Sequence, residues 1–385
     1  MVRKQIPLVV SVLLSVGLVS ATPHLASAQQ PMNGNSGATN NEALEQLLRE
    51  GRRLVNAGNV PGAIAIYRQA VELDRSNPRL YSGIGYLYAN QGNYEAAIQA
   101  YQQALVLEPQ NAEFHYAIGY SWANLGRYDD AIAAYRRATT YNPRHMNANL
   151  GIGVLLARQG QYEEALNIYR RVTALAPQSY KGYELTGIAL IQLKRPQDAF
   201  TPLQQAARLA PKQGMVRVHI GSAWLQLNNY EKAQASFSKA IQLEPRDAAV
   251  QLQIGKSLQA AGYLEQAMQS YQRAIVLKPN LPDAQFGMGD LYWEQKNYST
   301  AASLYRQYIV SVPRDPEGYY KLGMALREIG QKREAISAFE QAKSLFGGAE
   351  QQQRSRQRSG DAAQGIEKVI RTKCKVVFQD LRILT

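Results

Sequence analysis

Side chains able to carry acid–base, nucleophilic or metal chemistry are few and scattered in this 385-residue chain. The four histidines, His24, His115, His145 and His219, share no spacing that would gather them on one metal ion. No His-Glu-x-x-His run occurs, and Cys374 is the single cysteine, so no thiolate cluster or internal disulfide can form. Gly83-Ile84-Gly85 and Gly151-Ile152-Gly153 each hold two of the three glycines of a dinucleotide loop. Both lie within helical patterns with no strand before them, so packing is expected to explain them. The expectation is a non-enzymatic chain with no cofactor and no metal.

The elements that would position any binding side chain are set by a repeat. Gly recurs at 51, 85, 119, 153, 187, 221, 255, 289 and 323, and Ala at 63, 97, 131, 165, 199, 233, 267, 301 and 335, both at a spacing of 34. Pro keeps the same phase at 109, 143, 177, 211, 245, 279 and 313. Within one period, Tyr81 to Gly92 and Ala96 to Leu107 show helical apolar spacing, broken by Gly92-Asn93 and closed by Pro109. Each unit therefore reads as helix, tight turn, helix. Gly58, Gly92, Gly126, Gly160, Gly262 and Gly330 fill the turn, Asn228 replaces them once, and Lys194 and Lys296 depart.

Packing follows from residue size. The constant Gly and Ala are expected where the two helices of a hairpin cross, because a close-packed crossing leaves no room for a methylene. Tyr67, Tyr101, Tyr135, Tyr169, Phe237, Tyr271, Tyr305 and Phe339, with Leu203 as the exception, should surround it. The phenol hydroxyls are expected to stay wet at the edge. Pro196 and Pro202 in the fifth repeat predict a weak point or bend between two sub-arrays.

The flanks read differently. Arg3 and Lys4, the apolar run Ile6 to Ser20, and Ala26-Ser27-Ala28 predict a signal peptide over residues 1–28, cleaved after Ala28, and export to the periplasm or another extracytoplasmic space. Residues 29–43 read as a flexible leader, 44–349 as the repeats, and 350–385 as a basic low-complexity linker and tail. Gly347-Gly348 is expected to end the last helix. The formal charge is +13, but residues 29–349 are only mildly basic, so nucleic acid is not an expected partner. The basic tail allows a membrane contact, and oligomeric state is left open.

Gly119, Trp122, Tyr128, Ala131, Tyr135, Ala138 and Pro143 carry in one unit the pattern of the tetratricopeptide repeat, and the chain from Leu44 to Ala349 resembles nine tandem copies of it. The resemblance implies an all-α fold: a right-handed α-solenoid of nine helix-turn-helix hairpins whose first helices line a concave groove. It further implies a scaffold that binds an extended peptide or partner segment there. An envelope polysaccharide bound by the Tyr/Asn face is the alternative.

If that geometry holds, the thirteenth position of each repeat faces the groove. There Asn56, Asn90, Asn124, Arg158, Gln192 and Gln226 suggest a ladder of hydrogen-bond donors for an extended backbone. Tyr86, Tyr116 and Tyr120 would add aromatic area beside it. Towards the C-terminus, Asp283, Asp290, Glu294, Glu317 and Glu328 around Trp293 read as an acidic patch for a cationic segment. No repeat pairs Lys at the fifth position with Asn at the ninth, so the clamp that grips a chaperone's terminal carboxylate is not expected. On the outer face, Arg68, Arg136, Arg137, Arg170, Arg171 and Arg273 make a broken basic stripe.

Overall fold

The computed structural model describes residues 35–358, with side chains over residues 40–348. Residues 1–34, which include the expected signal peptide, and residues 359–385, with Cys374, lie outside the described residues. The described residues form helices in consecutive pairs joined by short turns, and fall into two compact units that divide between Pro177 and Gln178.

The N-terminal unit holds four hairpins: α1 Asn35–Asn56 with α2 Val60–Leu73, α3 Pro78–Asn90 with α4 Tyr94–Leu107, α5 Ala112–Asn124 with α6 Tyr128–Tyr141, and α7 Met146–Arg158 with α8 Tyr162–Leu175. The C-terminal unit holds five: α9 Tyr180–Gln192 with α10 Pro196–Leu209, α11 Gly214–Gln226 with α12 Tyr230–Leu243, α13 Ala248–Ala261 with α14 Leu264–Leu277, α15 Pro282–Glu294 with α16 Tyr298–Ser311, and α17 Pro316–Glu328 with α18 Lys332–Arg358. Repeat positions below count from 44 in steps of 34.

The turn inside every hairpin is one device. In the second, the Gly92 amide donates to the Ala89 carbonyl at 3.0 Å and the Asn93 amide to the Tyr88 carbonyl at 2.9 Å. This is a Schellman closure, which requires a left-handed residue between. Gly92 supplies it at φ 75°. Asn93 then caps the next helix, its side chain accepting from the Ala96 amide at 3.2 Å. Lys194 (φ 60°), Asn228 (φ 57°) and Lys296 (φ 62°) adopt the same conformation without being glycine. The turn geometry is imposed by the hairpin even where the residue opposes it.

Between hairpins, Pro stops the second helix, and the side chain at position 4 of the next repeat holds the Pro carbonyl. His115 Nε2 lies 2.9 Å from the Pro109 oxygen; Asn149 Nδ2 donates to Pro143 at 3.2 Å and Gln285 Nε2 to Pro279 at 3.3 Å. Tyr81 does the same to the Arg75 carbonyl at 3.3 Å. Four unlike side chains serve one carbonyl because each presents a donor at the same reach.

The crossing is built as its spacing predicts. The nine Ala residues are fully buried. A Cβ on Gly119 would lie 2.5 Å from the Tyr135 ring, on Gly153 2.4 Å from Tyr169, and on Gly187 2.4 Å from Leu203. Tyr135 and Tyr271 are held on a second side too, since a Cβ on Gly151 or on Gly287 of the following repeat would come within 2.6 Å of them. Gly83 differs from Gly151, with nothing within 4 Å of where its Cβ would be, so packing does not explain it.

Four expectations change. Two core phenols are not wet: Tyr271 donates to Gln259 Oε1 and Tyr305 to Asp290 Oδ1, each at 2.6 Å, and burial pushes both phenols far up. Gly347-Gly348 does not end α18, which runs to Arg358. Gly347 stands at position 32, where seven earlier repeats have Pro, and glycine weakens a helix without blocking it. The leader is not all irregular, because α1 begins at Asn35. Finally, α10 is continuous through Pro202, with Pro196 in its first turn where the absent N–H is tolerated; the division between units falls one hairpin junction earlier, at Pro177.

Candidate functional site

In the N-terminal unit α3, α5 and α7 touch in succession, so their shared face is continuous. It carries Tyr86, Asn90, Tyr116, Tyr120, Asn124 and Arg158. Tyr86 is half-buried and packs against two apolar clusters, one around Tyr101 of its own hairpin and one around Ile64 of the preceding hairpin. Tyr116 stacks on Tyr135 with centroids 5.6 Å apart and on the His145 imidazole at 4.7 Å. Burial pushes its phenol up to about 12, so it is a donor at any working pH. Tyr120 meets Tyr94 edge to face at 6.3 Å, and the Arg158 guanidinium lies 4.8 Å over the Tyr128 ring. These rings are fixed on one side by the core and open on the other.

The donor ladder is not continuous. Asn90 is exposed, its amide without a partner among the described residues. Asn124 Nδ2, however, donates back to the Tyr120 carbonyl of its own helix at 2.8 Å, leaving its carbonyl oxygen for a ligand. In the C-terminal unit Gln226 Nε2 holds the Ile191 carbonyl of the neighbouring repeat at 3.0 Å, and its oxygen is buried without a partner. Gln226 is a strut between repeats. What remains open in the N-terminal unit is a mixed face of three Tyr, one Asn donor, one Asn acceptor and an Arg.

The acidic patch of the C-terminal unit is largely neutralised from within. Asp290 is buried and accepts from Tyr305, with Lys321 Nζ at 3.0 Å, while Asp283 meets Lys256 Nζ at 2.6 Å. Trp293 packs on Tyr298 at 4.9 Å. Glu294 and Glu328 are exposed, and Glu328 pairs with Arg327 at 3.1 Å. The lysines sit one repeat away from their carboxylates, a pairing across repeats that along-chain charge counting misses.

One polar cluster was not anticipated. Glu184 is 1% exposed on α9, with Lys181 Nζ at 2.8 Å and His219 Nε2 of α11 at 3.6 Å. Burial holds the His219 imidazole below its usual value, with Glu184 opposing that shift and Lys181 adding to it. Only its place at the groove-facing fifth and sixth positions could have signalled it. Among the described residues no group of His, Cys, Asp and Glu is gathered to hold a metal, and no helix is long and apolar enough to cross a membrane.

Paired antiparallel helices at a 34-residue period, with a Gly-against-ring crossing and a face of first helices, define a helical-repeat scaffold. The tetratricopeptide-repeat family model matches residues 48–112, 83–144, 116–180, 150–214 and 286–350, and two further models of the same repeat match 216–247 and 260–296. The chain belongs to the tetratricopeptide-repeat family, whose members are in general non-enzymatic scaffolds for protein–protein contact. Among solved structures, it is similar to yeast Tom70 (14% identity, 89% of this chain and 97% of that one, TM-score 0.51). A tetratricopeptide-repeat protein from Parabacteroides merdae matches at 17% identity over 65% of this chain and 98% of that one, TM-score 0.54. MamA from Desulfovibrio magneticus is 26% identical over 44% of this chain and 95% of that one, TM-score 0.42. No curated protein matches.

Proposed function

We propose that the chain is an exported adaptor whose N-terminal unit holds an extended segment of a partner protein across α3, α5 and α7. The observation that carries this reading is the row Tyr86, Tyr116, Tyr120 and Arg158: four large side chains braced by the core yet half-open on a continuous face. Preset aromatic and Arg surface loses little rotamer freedom on binding and is typical of residues that dominate interface energetics. Asn90 and the Asn124 oxygen offer the donor and the acceptor that an extended backbone needs.

Export rests on the charged start, apolar run and Ala26-Ser27-Ala28 of the first 28 residues. It is tested by sequencing the N-terminus of protein recovered from the envelope fraction; a chain beginning at Met1 there would refute cleavage. For the groove, the mature chain and an Asn90→Ala/Tyr120→Ala variant are compared on an array of envelope-protein peptides. Capture of a common set of segments, weakened about tenfold or more by the variant, supports the reading. Equal capture by both, or retention of polysaccharide but of no peptide, sinks it.

A further inference from the structure

Away from the groove, the N-terminal unit carries a second surface. The buried side of α6 is Ala131, Ile132, Ala134, Tyr135, Ala138 and Thr139, which leaves Arg136, Arg137 and Tyr141 outward, with Arg144 in the loop that follows. On α8 the equivalent Arg170 and Arg171 are exposed as well. Arg171 donates to the Pro143 carbonyl at 3.1 Å, which brings the arginines of α8 beside the loop bearing Arg144.

Three features set this cluster apart from ordinary solvated charge. The chain has no Asp or Glu from residue 131 to 162, and Arg136, Arg137, Arg144 and Arg170 pair with no carboxylate among the described residues. Elsewhere in the unit, Arg49, Arg53 and Arg75 each have a Glu within 3.2 Å. Neither α6 nor α8 has a basic residue in its last turn, so these arginines do not serve the helix dipole. And every basic residue between positions 5 and 180 is Arg rather than Lys, the side chain whose planar fork grips phosphate with two parallel bonds.

We propose that this outer face of α6 and α8 docks onto the headgroup layer of an anionic phospholipid membrane. Two exposed side chains of the same unit with apolar bodies favour a lipid surface over an acidic polypeptide. Tyr141, 45% exposed, ends α6 one turn beyond Arg137 and three residues before Arg144, with one face of its ring stacked on His115 at 5.3 Å, and Val106 on α4 is 73% exposed. A half-exposed phenol close in sequence to Arg137 and Arg144 suits the headgroup boundary, where an apolar body and a polar tip are both accommodated. The arginines also stand exposed on an outward helix face, and a lipid surface needs only charge and area.

The test is co-sedimentation of the mature chain, residues 29–385, with vesicles of phosphatidylcholine, with and without phosphatidylglycerol. It is run for the parent, for Arg136→Gln/Arg137→Gln/Arg144→Gln/Arg170→Gln, and for a charge-matched control, Arg246→Gln/Arg273→Gln/Arg314→Gln/Arg333→Gln. Each arginine near an anionic surface adds about fivefold to partitioning. The expected result is salt-sensitive binding of the parent to the anionic vesicles only, weakened on the order of 100-fold by the first set and far less by the control. Absence of parental binding, equal loss in both sets, or binding retained by the first set overturns the proposal. So does Arg-dependent binding of polyglutamate without vesicle binding, which would assign the face to an acidic protein. Should the fourfold variant lose its helical melt, Arg137→Gln/Arg170→Gln carries the same comparison.

Discussion

At the scale of single residues, two glycines of similar sequence setting have opposite roles. Gly119→Ala would drive a methyl into the Tyr135 ring, so a loss of about 1–3 kcal/mol is expected by chemical denaturation. Gly83→Ala meets nothing, and should gain up to about 1 kcal/mol from helix propensity. Equal effects would mean that the ring does not seat against Gly119. His219 gives a pH signature. Its folded value lies below the ordinary 6.5, so the unfolded chain takes up a proton first as pH falls. Stability is therefore full above about pH 6.5 and declines below it. A His219→Gln variant should show a flatter fall in urea midpoint between neutral and mildly acid pH; parallel curves for both proteins would show that His219 protonates freely in the fold. The periodic Gly and Ala were readable because size is constrained at a crossing on every turn of the array. The Glu184–His219 contact was not, since it joins groove positions of two repeats with no periodic partner.

At the scale of elements, the turn tolerates residues it does not favour. Lys194 and Lys296 hold the left-handed conformation that costs a non-glycine residue about 1–2 kcal/mol. Lys194→Gly and Lys296→Gly should each raise stability by about 1 kcal/mol once the entropy of glycine in the unfolded chain is set against that gain. Lys194→Ala should bring no such gain, and a matching rise would locate the effect in the lysine charge instead of the backbone. The helix–turn–helix order, its Pro punctuation and the left-handed turn position were all legible in the spacing of Gly92, Asn93 and Pro109. The fate of the polar side chains was less so. Asn124 and Gln226 read as ligand donors because an amide looks alike in sequence whether it faces a ligand or a stray carbonyl. Asp283 and Asp290 read as free charge because Lys256 and Lys321 reach them from adjacent repeats.

At the scale of the whole molecule, the apolar clusters around Tyr67 and Tyr101 draw only on residues before the division at Pro177, and those around Tyr271 and Tyr305 only on residues after it. Because repeat stability is a sum of local and nearest-neighbour terms, a chain ending at Pro177 is expected to stay helical and melt cooperatively, at a lower temperature than the full chain. A fragment with no helical circular dichroism would show that the fifth hairpin is needed for the first four. The last helix has a different consequence. Every junction from the second repeat onward is written by a proline at position 32, and α18 runs on because Gly347 stands there instead. Proline is not the whole stop, since α2 ends at Leu73 with Arg75 at that position, but α18 is the one second helix among the described residues that passes it. A gene carrying Gly347→Pro would present a ready seam to which another 34-residue module can be spliced in phase, so duplication can lengthen this protein without redesigning anything upstream.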